Sequence, residues 1–439
     1  MLLPSLGLKV HTRDWLVSRV HWGLALIFLT PLYVGSLLTK HPLLLVATES
    51  LLAPLSILVY LRVKKRKAFG FGFLVGLGMF YWSALSFRYS DYSFLVPLMI
   101  ALVALCYGGV FYLLCWHSSP IYRVLSLWLA SYIHPFGFDW FVPESFFAYS
   151  VFKVDKLSFL CIASAIALLS SQAEGERFLF LKSHTHFYTK FLASFLLALS
   201  MDWQPKGIPS ILPPMQVVTT HIAQDVKWQQ AHLDTIVAQN FQTIQKAIVA
   251  HKSIVILPET AFPFVLNTSE VLSDLLTLSN KITIITGALY KKGNLIYNST
   301  YIFHNNAYDY AHKVILAPFG ETMPLPKFLA NYLDSIFFGP SAFQLGSGET
   351  FRDFNIAGLN FRPLVCYEGT SAQAYPYSPQ IFIVISNNGW FVPSIEPFLQ
   401  RMLLKYYARR FHKIIIHSTN LSPSYILTPT LLGDQNKDF

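Results

Sequence analysis

The 439-residue chain is 53% hydrophobic and 16% aromatic but only 13% charged, against about 25% charged in ordinary soluble domains, which excludes a purely soluble globular class. Its net charge of +10 comes mostly from the first half, with 16 basic against 9 acidic residues before residue 204 and 17 against 14 after it. No stripe of Lys and Arg interleaved with aromatics follows Gln204, so a nucleic-acid reader is excluded and no nucleic-acid partner is expected.

In chain order, apolar segments run approximately Gly23–Leu38, Leu43–Leu61, Ala68–Phe87, Ser93–Trp116, Ile121–Ile133, Leu157–Ser171 and Phe187–Met201. Most approach the length that crosses ~30 Å of hydrocarbon at about 1.5 Å per residue, the fifth and seventh being short, and together they predict seven membrane spans. The first is not read as a secretory signal, because no small-residue cleavage site follows it. Basic loops resist translocation. Arg62, Lys64, Lys65, Arg66 and Lys67 therefore lie inside, and seven crossings put Lys9, Arg13, Arg19, Arg123, Arg177, Lys182 and Lys190 with them, leaving Lys40, Arg88, Lys153 and Lys156 outside. An odd number of crossings delivers the second half to the outer face, the periplasmic side of a bacterial inner membrane. The expected organisation is a transmembrane domain over 1–203, a catalytic domain over 204–433 and a polar tail over 434–439. Glu49 falls within the second span, where an interfacial position or a helix-to-helix hydrogen bond is expected. His184 and His186 have metal-like spacing but no further ligands nearby, and no metal site is expected.

Beyond Gln204 the pattern changes. Leu233, Ile236, Val237, Phe241, Ile244 and Ile248 recur at helical spacing, predicting a helix with one apolar stripe. Ile254–Leu257, Pro363–Cys366, Ile381–Ile385 and Ile414–Ile416 are continuous apolar runs bounded by turn residues, the pattern of strands buried on both faces. Sheets covered by helices follow, in an α/β or α+β class.

Cys106, Cys115 and Cys161 lie in predicted spans, leaving Cys366 alone in the outer half. A solitary thiol in an oxidising compartment is either buried and inert or kept for its reactivity, and the count alone favours the inert reading. Its surroundings argue otherwise. Glu259 in ILPETAFP, Lys313 in YAHKVILAPFGE and Cys366 in PLVCYEG each stand at the end of an apolar run. A Cys nucleophile needs a base for its proton, and attack on an acyl carbonyl needs a donor for the developing oxyanion. Glu259 and Lys313 would fill those roles. No GxSxG elbow, HExxH helix or phosphate-binding P-loop occurs in the chain.

Glu259, Lys313 and Cys366, in this order at intervals of 54 and 53 residues, resemble the catalytic triad of the nitrilase superfamily of carbon-nitrogen hydrolases. With its apolar first half, the chain resembles that superfamily's membrane branch, the apolipoprotein N-acyltransferases. PETAFP is similar to the family's PE(S/T)A.P, PFGETMPLP to PFGE..P.., CYEG to CYE, SNNGWF to (S/T)ND.WF and HSTN to (R)STN. The resemblance implies an αββα sandwich joined to a multi-pass helical membrane domain, no cofactor, and a ping-pong transfer by a monomer. The phospholipid acyl donor would acylate Cys366 as a thioester, and the α-amine of a diacylglyceryl-cysteine apolipoprotein acceptor would receive the chain.

The same resemblance assigns supporting roles. Glu321 would position Lys313, Tyr367 and Glu368 would shape the pocket with the Tyr367 N–H facing the oxyanion, and Trp228 in DVKWQQ would contribute to lipid or substrate binding. Asn387, Asn388 and Trp390 would border the site. Plainer readings are an ion pair for Glu321, an interfacial anchor for Trp228 and ordinary core for Trp390. The chain departs from the family at Asn388, His417 and Val392, and by ending in a polar tail where relatives usually have a last span. Ile336–Pro340 is expected as a lid that dips among lipid acyl chains. Two other classes fit the bare residues: a membrane-tethered amidase, and a non-enzymatic membrane scaffold or transporter.

Overall fold

The computed structural model describes residues 11–89, 93–135, 139, 141–173, 185–203, 212–318, 320–322, 345–356 and 358–437. The chain divides into two compact units, the first made of Met1–Arg88, Tyr92–Tyr132 and Tyr149–Asp202, the second of Tyr89–Asp91, Ile133–Ala148 and Trp203–Phe439.

The first unit is helical: α1 (His11–Leu38), α2 (Pro42–Arg62), α3 (Ala68–Phe80), α4 (Val96–Leu114), α5 (Pro120–Ala130), α6 (Lys156–Ala173) and α7 (Thr185–Ser200). By length and composition three of the described stretches, Pro42–Arg62, Lys65–Tyr89 and Ser93–Leu114, can cross a membrane. Trp22–Leu38, Lys156–Ser170 and Phe187–Ser200 are apolar but shorter, and α5 ends at Ala130 rather than Ile133. The expected seven spans are thus met at three on that measure. Small residues let α3 and α4 approach closely: a Cβ on Gly72 would lie 2.5 Å from Phe111 Cβ, and one on Gly76 would lie 2.6 Å from Tyr107 Cβ. Phe28, Phe71 and Phe111 meet edge to face beside that contact, with centroids 5.4–5.7 Å apart. Buried Arg123 donates through Nη1 to the carbonyls of Leu61 (2.7 Å) and Tyr60 (3.3 Å), satisfying the open end of α2. Glu49 is buried, and its Oε1 has no hydrogen-bond partner among the described residues. His184 and the expected lid Ile336–Pro340 lie outside the described residues, as does the side chain of His186.

The second unit holds two sheets. Its strands are β1 (Met215–Val217), β2 (Thr219–Thr220), β3 (Ile254–Ile256), β4 (Phe262–Val265), β5 (Thr283–Lys292), β6 (Leu295–His304), β7 (Ala307–His312), β8 (Leu345–Gly346), β9 (Phe354–Ile356), β10 (Leu359–Val365), β11 (Ile381–Asn387), β12 (Ile414–Asn420), β13 (Tyr425–Leu427) and β14 (Gln435–Asn436). One sheet runs β1-β3-β5-β6-β7 with β4 on β5 and β8 on β6; the other runs β14-β13-β12-β11-β10-β9 with β2 on β12. β1, β3 and β5 are mutually parallel, as are β10, β11 and β12. Their continuous apolar runs have a physical cause, because successive side chains point to opposite faces and both faces are covered. Ile254 and Ile256 of β3, with Ile381, Ile383 and Ile385 of β11 and Ile414 and Ile416 of β12, fill one core between the sheets. Val255 and Leu257 point the other way, into a second core with Ile244 of α9 (Leu233–Val249) and Leu275 of α10 (Val271–Leu278).

Another helix, α11 (Glu396–Phe411), covers the outer face of the second sheet, where Tyr375 stacks on Tyr407 and Phe411 and tilts against Phe382 of β11. The layers are therefore helix, sheet, sheet, helix. Sequence periodicity does not reveal α11, because its buried face includes Gln400, Arg401, Lys405 and Arg409. Lys405 donates to the carbonyls of Thr428 and Thr430 and to Asp434, and Arg409 donates to those of Phe147 and Ala148. That last contact is one reason residues 133–148, expected in the membrane half, cluster with the second unit. Asp139 is another, accepting from the Ala372 N–H at 2.9 Å and the Tyr407 hydroxyl at 3.0 Å.

Candidate active site

Glu259 follows β3 by three residues, Lys313 follows β7 directly, and Cys366 follows β10 directly, so three strand ends of two facing sheets each carry one candidate group. The turn after β3 is tightly held. The Gly287 N–H donates to the Pro258 carbonyl (3.2 Å), Asn240 donates to that of Ala261 (2.7 Å), and Thr260 takes a left-handed φ of 45°. A Cβ at Gly287 would stand 2.5 Å from Thr260 N and 2.6 Å from Glu259 Cα, so only glycine on β5 lets the Glu259 turn come this close.

The buried Glu259 carboxylate is held at both oxygens: Asn298 Nδ2 donates to Oε1 at 2.7 Å, and the Asn387 N–H donates to Oε2 at 2.8 Å. Lys313 is 1% exposed and pairs with Glu321 at 2.6 Å. Glu321 in turn accepts from the Ala317 N–H (2.8 Å) and from Asn298 (3.3 Å), so Asn298 bridges the two carboxylates. Burial works against the Lys313 ammonium, but Glu321 above all, then Glu259 and Cys366, hold its pKa above that of an ordinary lysine. It is a permanent cation at neutral pH.

Cys366 opens a 3₁₀ turn, Cys366–Thr370, with a left-handed φ of 53°, an uncommon conformation for a residue with a side chain. It is partly buried. Its thiol pKa is pushed well above the usual value by burial and then by the Glu259 carboxylate, while Lys313 pulls the other way. Glu259, Lys313 and Cys366 thus share one electrostatic neighbourhood in which the resting thiol is protonated and the lysine charged. A thiol, a carboxylate and a fixed cation so disposed can deprotonate a nucleophile and stabilise an oxyanion.

The other candidates divide. Glu321 pairs with Lys313. Glu368 is buried and fully engaged: Oε1 accepts from the Val314 and Ile315 N–H groups at 2.6 and 3.1 Å, and Oε2 from that of Val365 at 2.7 Å. It clamps the segment after Lys313 to the end of β10. The Tyr367 hydroxyl accepts from the Asp139 N–H at 3.3 Å. Asn387 meets Glu259 through its main chain, whereas its side chain joins Gln224 and Asn420 (2.8 and 2.9 Å). The Asn388 side chain donates to Gln400 and Ser422, both at 3.0 Å. Trp228 is 43% exposed, and Trp390 lies edge to face with Tyr89 at 5.7 Å. His417, in place of the family's Arg, is buried on Ser386 at 2.8 Å, and burial lowers its pKa to about 3, so it is neutral.

Sequence reasoning missed Asn298, Gly287 and Lys227. Lys227 ends α8 (Gln224–Lys227), is 1% exposed, and donates from Nζ to the main-chain carbonyl of Glu259 at 3.0 Å. The DVKWQQ string drew attention to Trp228 and hid its neighbour.

Comparison with known proteins gives consistent results. The family model described as "Apolipoprotein N-acyltransferase integral membrane domain" matches residues 18–191. The chain is 46% identical over 418 residues to an apolipoprotein N-acyltransferase of Helicobacter pylori, covering 94% of this chain and 96% of the relative. It is 41% identical over 408 residues to one of Wolinella succinogenes, covering 92% and 94%. Among solved structures, a CN-hydrolase superfamily protein from Xanthomonas campestris aligns at 12% identity and a TM-score of 0.39, covering 52% of this chain and 87% of that one.

Proposed function

Because the chain belongs to the apolipoprotein N-acyltransferase family, we propose that it acylates lipoproteins at their N-terminus, with Cys366 as acyl carrier, Glu259 as general base and Lys313 as oxyanion donor. The observation that carries this reading is the convergence of the three groups from three strand ends, with Lys313 interacting electrostatically with both Glu259 and Cys366.

In the first half-reaction the thiol proton passes to Glu259 as sulfur attacks the ester carbonyl of a membrane phospholipid. The carbonyl π pair moves onto oxygen, where the Lys313 ammonium lies; a fixed charge in a water-poor site stabilises that oxyanion more than water does. Collapse breaks the ester C–O bond, the leaving alkoxide takes the proton from Glu259, and a lysophospholipid departs. In the second half-reaction the α-amine of a diacylglyceryl-cysteine acceptor attacks the thioester. Glu259 takes the amine proton, the C–S bond breaks, and the thiolate is reprotonated by Glu259. The product is an amide.

Asn298 and the Asn387 N–H orient the base, and Glu321 fixes the cation. The catalytic unit faces the periplasm from a bacterial inner membrane, as the basic inner loops imply, and the enzyme works as a monomer.

The test is intact-mass analysis of the protein after incubation with phospholipid vesicles. A hydroxylamine-labile acyl adduct should form on Cys366, be absent in Cys366→Ala, and pass to the amine of an added diacylglyceryl-cysteine peptide. Absence of the adduct sinks the mechanism, and discharge to free fatty acid instead of amide would make the enzyme a hydrolase.

A further inference from the structure

Lys227 is a buried lysine that the reaction just described does not use. Burial pulls its pKa down to about 7 while Glu259 opposes the fall. Burying a cation costs several kcal/mol unless it is paired. Yet among the described residues its one hydrogen bond goes to a neutral acceptor, the carbonyl of Glu259. That carbonyl belongs to the peptide leading into Thr260, whose left-handed φ turns the chain out of β3's continuation.

The same short helix reaches the base a second way. Gln224, three residues before Lys227, accepts from the Asn387 side chain at 2.8 Å, and Asn387 donates its N–H to Glu259 Oε2. α8, Glu259 and Asn387 therefore close a ring of three contacts, two from α8 and one from Asn387 to the carboxylate. One end holds the base's main chain, the other the residue that caps its side chain. The titratable groups that face Glu259 are Lys227 from α8, Lys313 after β7 and Cys366 after β10, with Glu321 one step away through Asn298.

We propose that Lys227 is a positioning residue for the general base: through the Glu259 carbonyl it sets where the carboxylate stands. The inference rests on the reading of Glu259 as the base of an acyl transfer. It adds a second lysine to the site, one that never touches substrate.

The experiment follows acyl-Cys366 formation by mass in the full chain, over a series of phosphatidylethanolamine vesicle concentrations at one pH. Lys227→Met should slow acylation at saturating lipid about 100-fold, the scale of misplacing a reacting group by about 1 Å. The lipid concentration that half-saturates the rate should stay unchanged, because the base and not the lipid contact is displaced. Lys227→Arg should restore part of the rate. Gln224→Leu, which opens the ring at its other end, should slow acylation in the same way. A Lys227→Met protein whose loss falls on the half-saturating lipid, or which Lys227→Arg does not rescue, would overturn the proposal. Should Lys227→Met not fold, a Gln224→Leu protein acylating at the wild-type rate would overturn it instead. No adduct on the wild-type protein would remove the acyltransferase reading itself, an outcome distinct from either variant result.

Discussion

Cys366 stands between opposed charges, and the balance is measurable at this one atom. Burial and the Glu259 carboxylate raise its pKa, and Lys313 lowers it. Removing each neighbour should move the thiol in opposite directions. In Glu259→Gln the pH midpoint of iodoacetamide labelling at Cys366, followed by peptide mass, should fall; in Lys313→Met it should rise. Both variants should lose acyl transfer. Labelling that becomes easier as turnover disappears separates a base from a group that merely activates the thiol by charge. The three residues were legible in the chain because each sits in a short string at a strand end. Asn298 and Lys227 were not, since what matters about them is a partner 39 and 32 residues away, and an isolated Asn or Lys carries no mark of that.

At the scale of elements, the turn that bears the nucleophile is joined to the segment that bears the lysine by one carboxylate. Glu368 accepts three N–H groups, from Val314, Ile315 and Val365. Burial nonetheless pushes its pKa up to about 7, the three donors opposing. A carboxyl whose pKa is higher folded than unfolded holds its proton more tightly when folded. Its contribution to stability is therefore full below about pH 4.5 and lost as pH rises through about 7. Glu368→Gln should flatten that part of the stability curve. It should also cost about 1–3 kcal/mol below it, because an amide offers one acceptor oxygen and leaves a buried N–H facing an NH₂. Thermal melts of both proteins between pH 4 and 8 would show it; a parallel offset with unchanged slope would assign the pH dependence elsewhere. Strands β3, β10, β11 and β12 were readable because both their faces are buried in apolar cores. α11 was not, because Lys405 and Arg409 are buried by satisfying carbonyls of distant loops, which period-counting scores as polar surface.

For the whole molecule, the division by composition at residue 203 describes the solvent of each half better than its folding. The second unit takes in Tyr89–Asp91 and Ile133–Ala148 from between membrane helices. Asp139 holds this strap down through Ala372 and Tyr407 and pairs with His134 at 2.7 Å. Asp139→Ala would strip an acceptor from a main-chain N–H and from a buried hydroxyl, costing about 2–4 kcal/mol at about 1–2 kcal/mol for each lost partner. The drop should appear in denaturant melts of the second unit's tryptophans. A melt unchanged from wild type would mean that the strap's other contacts, among them Arg409 with Phe147 and Ala148 and the residue-139 N–H with the Tyr367 hydroxyl, secure it.

The strap also sets an order of manufacture. Asp139 leaves the ribosome 233 residues before Ala372 and 268 before Tyr407. Its helical neighbours on either side are synthesised, and can enter the bilayer, long before the sheets that will receive it exist. A chain halted before Tyr367 lacks the partners that hold its own strap, since Tyr367, Ala372, Tyr407 and Arg409 are all still to come.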